Sequence, residues 1–382
     1  MKYMVIIAVL LIALIGFSTG QTQSRDPYFF MRNAEEGYAE VLPGRKIEFP
    51  RDHGAHPEFR IEWWYVTANL QDAQGAQYGV QWTLFRQSLS PNNNTNDTNH
   101  ADNKYDWGSN QVWLAHAAVT NDKEHKHWQK MARGGIGQAG VVAQPFNAWI
   151  DHWSLATANS FREDTVYPLD LSFSTSTAGE YAVSLQLMTD SPEVLNGIEG
   201  YSQKSEGEQA SYYYSQPHLE ASGQIVWQGE LQKVTGQAWL DREWSSQPLS
   251  ANQSGWDWFS LHLDDGRALM LYQLRSSADV DKFWVSGSLI EKNGSKVNIK
   301  QGSVSMEVLE TRVVDDRDLP LRWRVSIPEF DIDLTIEPLH DEQFVGGALP
   351  YWEGVIFAFD SNDISQTRLH VGRGYMELMG YN

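Results

Sequence analysis

Short runs of aromatic and β-branched residues, each closed by a turn pair ending in glycine, recur along nearly the whole chain and leave little room for anything but sheet. Residues 62–70 (EWWYVTANL), 78–86 (YGVQWTLFR), 112–120 (VWLAHAAVT), 181–188 (YAVSLQLM) and 268–274 (ALMLYQL) alternate in part between apolar and polar positions, as do 323–327 and 332–336. Gln74-Gly75, Ser222-Gly223, Asp265-Gly266 and Asn293-Gly294 supply hairpin turns. Their spacing suits an antiparallel meander that can close into a barrel. The glycine cluster at 134–140 (GGIGQAG) lacks the preceding strand that a phosphate-binding loop needs. The Asn-rich stretch 92–106 and the polar stretch 202–210 read as mobile loops.

Within this pattern, residues 211–244 end in Asp241, Arg242, Glu243 and Trp244. Successive side chains of a strand point to opposite faces, so Asp241 and Glu243 share one face and Arg242 and Trp244 the other. Two like charges on one face need water, a cation or a shared proton. Other charges sit inside apolar strands. Arg86 ends the strand that carries Trp82 and Leu84, Glu62 shares a face with Trp64 and Val66, and His116 with Leu114 and Ala118. If these faces point inward, the charges should pair with one another or with Asp241 and Glu243, because an isolated buried charge costs several kcal/mol. His116 reads as a hydrogen-bonded core histidine, or as a proton donor if it shares a cavity with the acids.

Residues 1–20 begin with Lys2, continue through an apolar run to Phe17 and end in small residues, the pattern of a secretory signal cleaved near Gly20. The expected location is the periplasm or the exterior. The chain has no cysteine, so it offers neither a disulfide nor a lipoprotein attachment site. Removing Lys2 from the 29 basic residues leaves 28 against 49 acidic, a net charge near −21 that argues against nucleic acid as a partner. The 16 Trp, 16 Tyr and 15 Phe must line either a thick core or an apolar binding chamber. His53, His56 and Glu58 lie in a loop without the spacing that places two histidines on one helical face, so no metal or other cofactor is expected. A serine nucleophile elbow is also missing.

Several motifs occur in an order that resembles the AttH and carotenoid 1,2-hydratase family. They are His56-Pro57-Glu58, Glu62-Trp63-Trp64-Tyr65, Phe85-Arg86, Ala115-His116, residues 210–215 (ASYYYS) with Pro217, 236–244 (GQAWLDREW), Trp256-Asp257-Trp258 and the closing 372–381 (GRGYMELMGY). The resemblance covers residues 45–382 and implies an all-β chain of two consecutive lipocalin-like, calycin-type antiparallel β-barrels. It also implies a secreted bacterial protein with a pocket for a hydrophobic small molecule, and an ABC-transporter system as a partner. In the bacterial AttH branch such proteins are described as secreted hydrolases. The hydratase branch is similar but carries a His before the junction Trp and an acid after a Tyr on the next strand, where this chain has Arg242 and, after Tyr272, Gln273 and Leu274. Arginine cannot give up its proton at ordinary pH, so carotenoid hydration itself is not expected.

Strand patterns continue on both sides of Trp244, so the barrels are expected at 42–237 and 238–382, with 373–381 as a closing strand. Two functions follow. In the first, a barrel lined by aromatic side chains binds a lipid-, isoprenoid- or polyketide-like molecule, with Glu62, Trp64, Arg86, Tyr213, Arg242, Trp244 and Tyr272 as candidate ligand-binding residues. In the second, Asp241, Glu243 and His116 catalyse hydration or hydrolysis in the same cavity. The favoured arrangement has Asp241 and Glu243 clamping Arg86 or another cation. A buried acid with an upward-shifted pKa would instead favour acid catalysis.

Overall fold

The computed structural model describes residues 29–32, 35–91, 109–158, 165–175, 179–279, 282–363 and 368–381. The expected signal at 1–20 and the expected mobile loop at 92–106 lie outside them. Among the described residues the strands form two antiparallel sheets of thirteen and ten strands, the first curled into a nearly closed barrel and the second into a half-barrel; Val194–Leu195 and Tyr201–Gln203 pair with Ala210–Trp227, and Phe344–Val345 with Tyr351–Asp360, off the main paths. The all-β, two-barrel, lipocalin-like expectation therefore holds.

The first sheet runs from His125–Arg133 through Gln111–Asn121, Gln77–Ser88 and Ile61–Asp72 to Glu230–Ser245. It then continues through Ala210–Trp227, Tyr181–Met188, Leu169–Ser174, Trp153–Thr157 and Phe146–Ile150 to Ala139–Ala143. Lys130 of the first of these strands meets Asp151, in the turn between Phe146–Ile150 and Trp153–Thr157, at 2.7 Å. The second sheet runs from Lys296–Ile299 through Phe283–Ile290, Ala268–Ser276, Gln253–Leu263 and His370–Met379, then through Tyr351–Asp360, Ile332–Pro338 and Arg317–Ile327 to Ser305–Val314. Each sheet pairs its first long strand with its last, so each half of the chain closes on itself. The expected closing strand is His370–Met379, paired on both sides. The expected junction at Gln237 and Ala238 falls inside Glu230–Ser245, whose Arg242 and Trp244 are sealed in the first barrel. The chain crosses to the second sheet over 246–252.

The turn pairs at Gly75, Gly266 and Gly294 form as expected, each with a positive φ. Ser222-Gly223 does not turn. It lies within the eighteen-residue strand Ala210–Trp227, where a Cβ on Gly223 would collide with the Ser184 carbonyl of the neighbouring strand. This glycine permits close strand approach; the turn is made at Gln228 and Gly229, with φ of 52° and 84°.

Side-chain alternation builds three apolar cores. One fills the first barrel around Trp64, Trp82, Leu155 and Leu185, and one fills the second around Phe259, Leu321, Trp323 and Trp352. The third lies between the barrels, where Tyr65, Tyr213 and Trp239 of the first sheet face Trp258, Met270, Tyr351 and Tyr375 of the second. Both sheets thus bury their outer faces here. Gly79 makes the approach possible, since a Cβ at that position would strike Val355 and the Tyr375 hydroxyl. Replacing Gly79 by Val should overpack the interface and lower stability by about 1–3 kcal/mol, seen as a lower Tm in thermal unfolding. An unchanged Tm would show that the two barrels do not press together at this point.

Candidate functional site

The largest change from expectation follows from strand parity. Asp241 and Glu243 project from the outer face of the first barrel, whereas Glu62, Arg86, Arg242, Trp64 and Trp244 project into it. The candidate residues therefore fall into two places. Between the barrels lies a cavity of about 80 Å³, walled by Trp63, Tyr65 and Phe85 from one side and Trp256, Trp258 and Tyr272 from the other. Asp241, Glu243 and Glu377 are its acids, and Lys204 is the cation that lines it.

Asp241 is 3 % exposed and accepts three hydrogen bonds, from Ser215 Oγ at 2.5 Å, Tyr213 OH at 2.7 Å and Trp239 Nε1 at 2.7 Å. All three donors are neutral, and among the described residues no ion pair to Asp241 forms. Burial raises its pKa from 3.8 to about 7, against the opposing pull of the three donors and with help from nearby Glu243. Glu243 differs from its strand neighbour two positions away. It accepts a hydrogen bond from Ser211 and pairs with Lys204 Nζ at 2.7 Å. The same ammonium lies 4.3 Å from the Tyr272 ring centroid and 5.1 Å from that of Tyr213. Tyr213 in turn accepts a bond from Trp258 Nε1 of the second sheet at 3.2 Å, and Tyr272 OH meets Ser202 Oγ of the first at 3.1 Å. The polar wall thus spans both barrels.

Glu377 accepts from Trp256 Nε1 at 2.5 Å, and burial with the fields of Asp241 and Glu243 raises its pKa. Directly across the strand pair sits Glu353, 1 % exposed, with neither carboxylate oxygen hydrogen-bonded and with the hydroxyls of Tyr65 and Tyr351 beside it. Burial and the Glu377 carboxylate hold its proton in place.

Inside the first barrel, the Glu62 carboxylate accepts from Arg86 Nε at 3.0 Å, Arg242 Nη2 at 2.8 Å and the His56 backbone at 2.9 Å, and it meets His56 Nδ1 at 2.6 Å. The expected clamp of Arg86 by Asp241 or Glu243 is therefore replaced by a clamp through Glu62, because 241 and 243 point the other way. Arg242 stacks 3.9 Å from the Trp64 centroid, and His56 stacks on Trp244 at 4.1 Å. The second nitrogen of His56 meets Asp52 at 3.2 Å, and Tyr214 occupies His53 Nδ1 at 2.6 Å. His116 is buried at the interface between Tyr351 OH at 2.9 Å and Gln129 Oε1 at 3.3 Å. Burial lowers its pKa to about 4, and it does not line the cavity.

Two arginines and a histidine hold the Glu62 pKa well below the usual carboxylate range. Its contribution to stability is present above the ordinary carboxylate pKa and is lost as pH falls through the lowered one. Glu62→Gln leaves two buried guanidinium groups without their counter-charge and should cost about 3–5 kcal/mol in chemical denaturation at neutral pH. A loss below about 1 kcal/mol would contradict this account.

Of the candidate residues, Asp241, Glu243, Tyr213 and Tyr272 line one cavity, joined there by Lys204 and Glu377, with Glu353 across the strand pair from Glu377; the sequence did not single out these last three. Lys204 sits in the segment expected as a mobile polar loop, yet it is 6 % exposed because its charge is spent on Glu243. Its only advance signal was a lone cation near Tyr213. Glu377 was read as one alternating position of the closing strand, and its neighbours Tyr375 and Met379 on that face were the clue that the face is buried.

The model of the AttH-like family matches residues 40–381. Among solved structures, one assigned to AttH from Nitrosomonas europaea is 34 % identical, with a TM-score of 0.74 over 90 % of this chain and 100 % of that one. Kievitone hydratase from Nectria haematococca has a TM-score of 0.64 at 14 % identity, over 92 % of this chain and 98 % of that one. CghA with Sch210972 has 0.52 at 12 %, with the same coverage. These last two likenesses concern the fold. No curated protein matches the chain. A family match over nearly the whole chain, joined to a relative of the same architecture at 34 % identity, shows that the chain belongs to the AttH-like family.

Proposed function

We propose that this protein is an acid–base enzyme that adds water to, or removes it from, a carbon–carbon double bond of a hydrophobic small molecule held between the two barrels. The observation that carries this reading is Asp241: a buried carboxyl facing an aromatic cavity, with no ion pair among the described residues and a pKa near 7. Such a group is half protonated near neutral pH, where a general acid works best. In the hydration direction, neutral Asp241 gives its proton to one alkene carbon and becomes a carboxylate. The aromatic faces around the cavity shield the cation on the other carbon, and the three neutral donors stabilise the new carboxylate. A water then adds to the cation and loses a proton to a carboxylate on the facing sheet, a role we assign to Glu377, which lines the same cavity. Glu243, tied to Lys204, positions Tyr213 and Tyr272 and stays out of the proton transfer. Kievitone hydratase shares the architecture, which makes the reaction class compatible with the fold without deciding it.

A second reading, ligand binding without turnover, is favoured by the Lys204–Glu243 pair, which can hold a polar headgroup against the Tyr272 ring. The start at Lys2 and the apolar run to Phe17 support export, and we place the mature protein in the periplasm or outside the cell. Among the described residues no helix is long and apolar enough to cross a membrane. An ABC-transporter partner rests on the family resemblance alone.

Incubating the protein with a panel of isoprenoid and aryl-substituted alkenes, and searching by mass spectrometry for gain of one water, tests the proposal. Asp241→Asn should lower turnover about a hundredfold or more while leaving ligand affinity within a few-fold. Turnover should also fall as pH rises through about 7, because the acid form is then lost. Binding without product, unchanged by Asp241→Asn, would select the second reading.

The same carboxyl predicts a stability effect with a definite sign. Its folded pKa lies above its unfolded one, so its favourable contribution is complete below about 3.8 and is lost as pH rises through about 7. The burden on the folded state at full deprotonation is on the order of 4 kcal/mol. Asp241→Asn should therefore be close to neutral at about pH 4 and more stable than the wild type at about pH 9, measured by thermal unfolding. Equal destabilisation at both values would mean that Asp241 is a structural anchor.

A further inference from the structure

We infer that Met31 is a partition inside one elongated binding groove, and that the ligand is a long apolar chain whose reactive end meets Asp241. The inference rests on the reading of the cavity as a ligand site and names the shape of the molecule it takes. Beside the acid-bearing cavity lies a second one, of about 130 Å³, walled by Ile61, Val112, Leu114, Met131 and Leu349. Three residues line both: Met31, Trp63 and Phe85. Trp63 and Phe85 are paired across adjacent strands, Ile61–Asp72 and Gln77–Ser88, and are fixed there by the sheet. Met31 belongs to no sheet.

Met31 sits in a single helical turn, Phe29–Arg32, and is 2 % exposed. The turn is tied to the segment that crosses between the barrels. The Leu249 amide donates to the Met31 carbonyl at 3.3 Å, Gln247 Nε2 to the Arg32 carbonyl at 3.3 Å, and Arg32 Nη1 to the Gln253 carbonyl at 3.2 Å. The side chain between the two chambers is thus an unbranched thioether with three rotatable bonds, the apolar side chain best able to fold aside.

The chambers differ in a way that orients the ligand. The acids Asp241, Glu243 and Glu377 line the first chamber, whereas the second is lined by one half-buried amide, Gln87, and by Glu62 and Arg86, whose charges pair with each other within the barrel network. A chain that passes Met31 therefore gains apolar burial at its tail and chemistry at its head. Each added methylene buried in the groove strengthens binding until the groove is full. A compact polycyclic ligand would fill the first chamber alone and gain nothing from the second.

Binding of ω-unsaturated alcohols with hexyl, decyl and tetradecyl chains, followed by quenching of intrinsic Trp fluorescence, tests this in the full chain. Met31→Ala should tighten the tetradecyl compound about tenfold and leave the hexyl compound within twofold. Met31→Trp should weaken the tetradecyl compound about tenfold, again sparing hexyl. Met31→Leu, close in volume but branched and stiffer, guards against loss of folding in the other variants and should also weaken the longest chain. Identical length dependence in wild type and variants overturns the partition while leaving the ligand site standing. No binding of any chain length to any of the proteins overturns both.

Discussion

The Glu62 carboxylate is the tie on which the rest of the arrangement depends. It draws Arg86 and Arg242 into the first barrel from the two strands that flank its own, and it fixes the loop that carries His56. With 242 committed inward, 241 and 243 must face outward, since a strand offers only two directions. The same register that completes a buried ion network therefore plants two carboxyls on the outer face of the barrel. An outer face that bore them in water would carry ordinary surface acids. Here a second sheet covers that face, and desolvation turns one of them into a group that titrates near neutrality.

The two acids show how a neighbour decides the chemistry of a site. Glu243 has Lys204 at 2.7 Å and reads as an ion pair. Asp241, one step along the same face, is met by three neutral donors and, among the described residues, by no cation, so the water it lost is replaced only in part. Its donors do prepare for charge, however: a hydroxyl, a phenol and an indole wait in place for the carboxylate that appears once the proton leaves. Glu377 on the facing strand and Glu353 behind it add buried carboxyls from the second barrel. Neither barrel alone holds the site, and close approach at Gly79 is part of what assembles it.

The sheet character of the chain, three of its four hairpin turns and its closing strand were legible because they rest on local patterns of alternation and turn chemistry. Ser222-Gly223 misled because a glycine that makes room for a neighbouring strand looks, in sequence, like one that turns. Parity was also legible, since Asp241 and Glu243 were separated from Arg242 and Trp244 at the outset. What the sequence could not reveal was which face of the first barrel is inner. Both faces of these strands are apolar, one for the barrel core and one for the interface, so no polar side marks the outside. The expectation that Arg86 pairs with Asp241 or Glu243 failed for that reason. Glu377 and Glu353 come from segments far away in sequence and reach the cavity through the packing of the second sheet against the first, whereas Lys204 is brought to Glu243 by the pairing of Tyr201–Gln203 with Ala210–Trp227 in the first sheet.

The central claim is that the Asp241 carboxyl keeps its proton to neutral pH. An infrared titration of the carboxyl C=O stretch, taken as the difference between wild type and Asp241→Asn, reads that proton directly. The account predicts a band that disappears with a midpoint near pH 7. A midpoint near 3.8, the ordinary value for an aspartate, would contradict it.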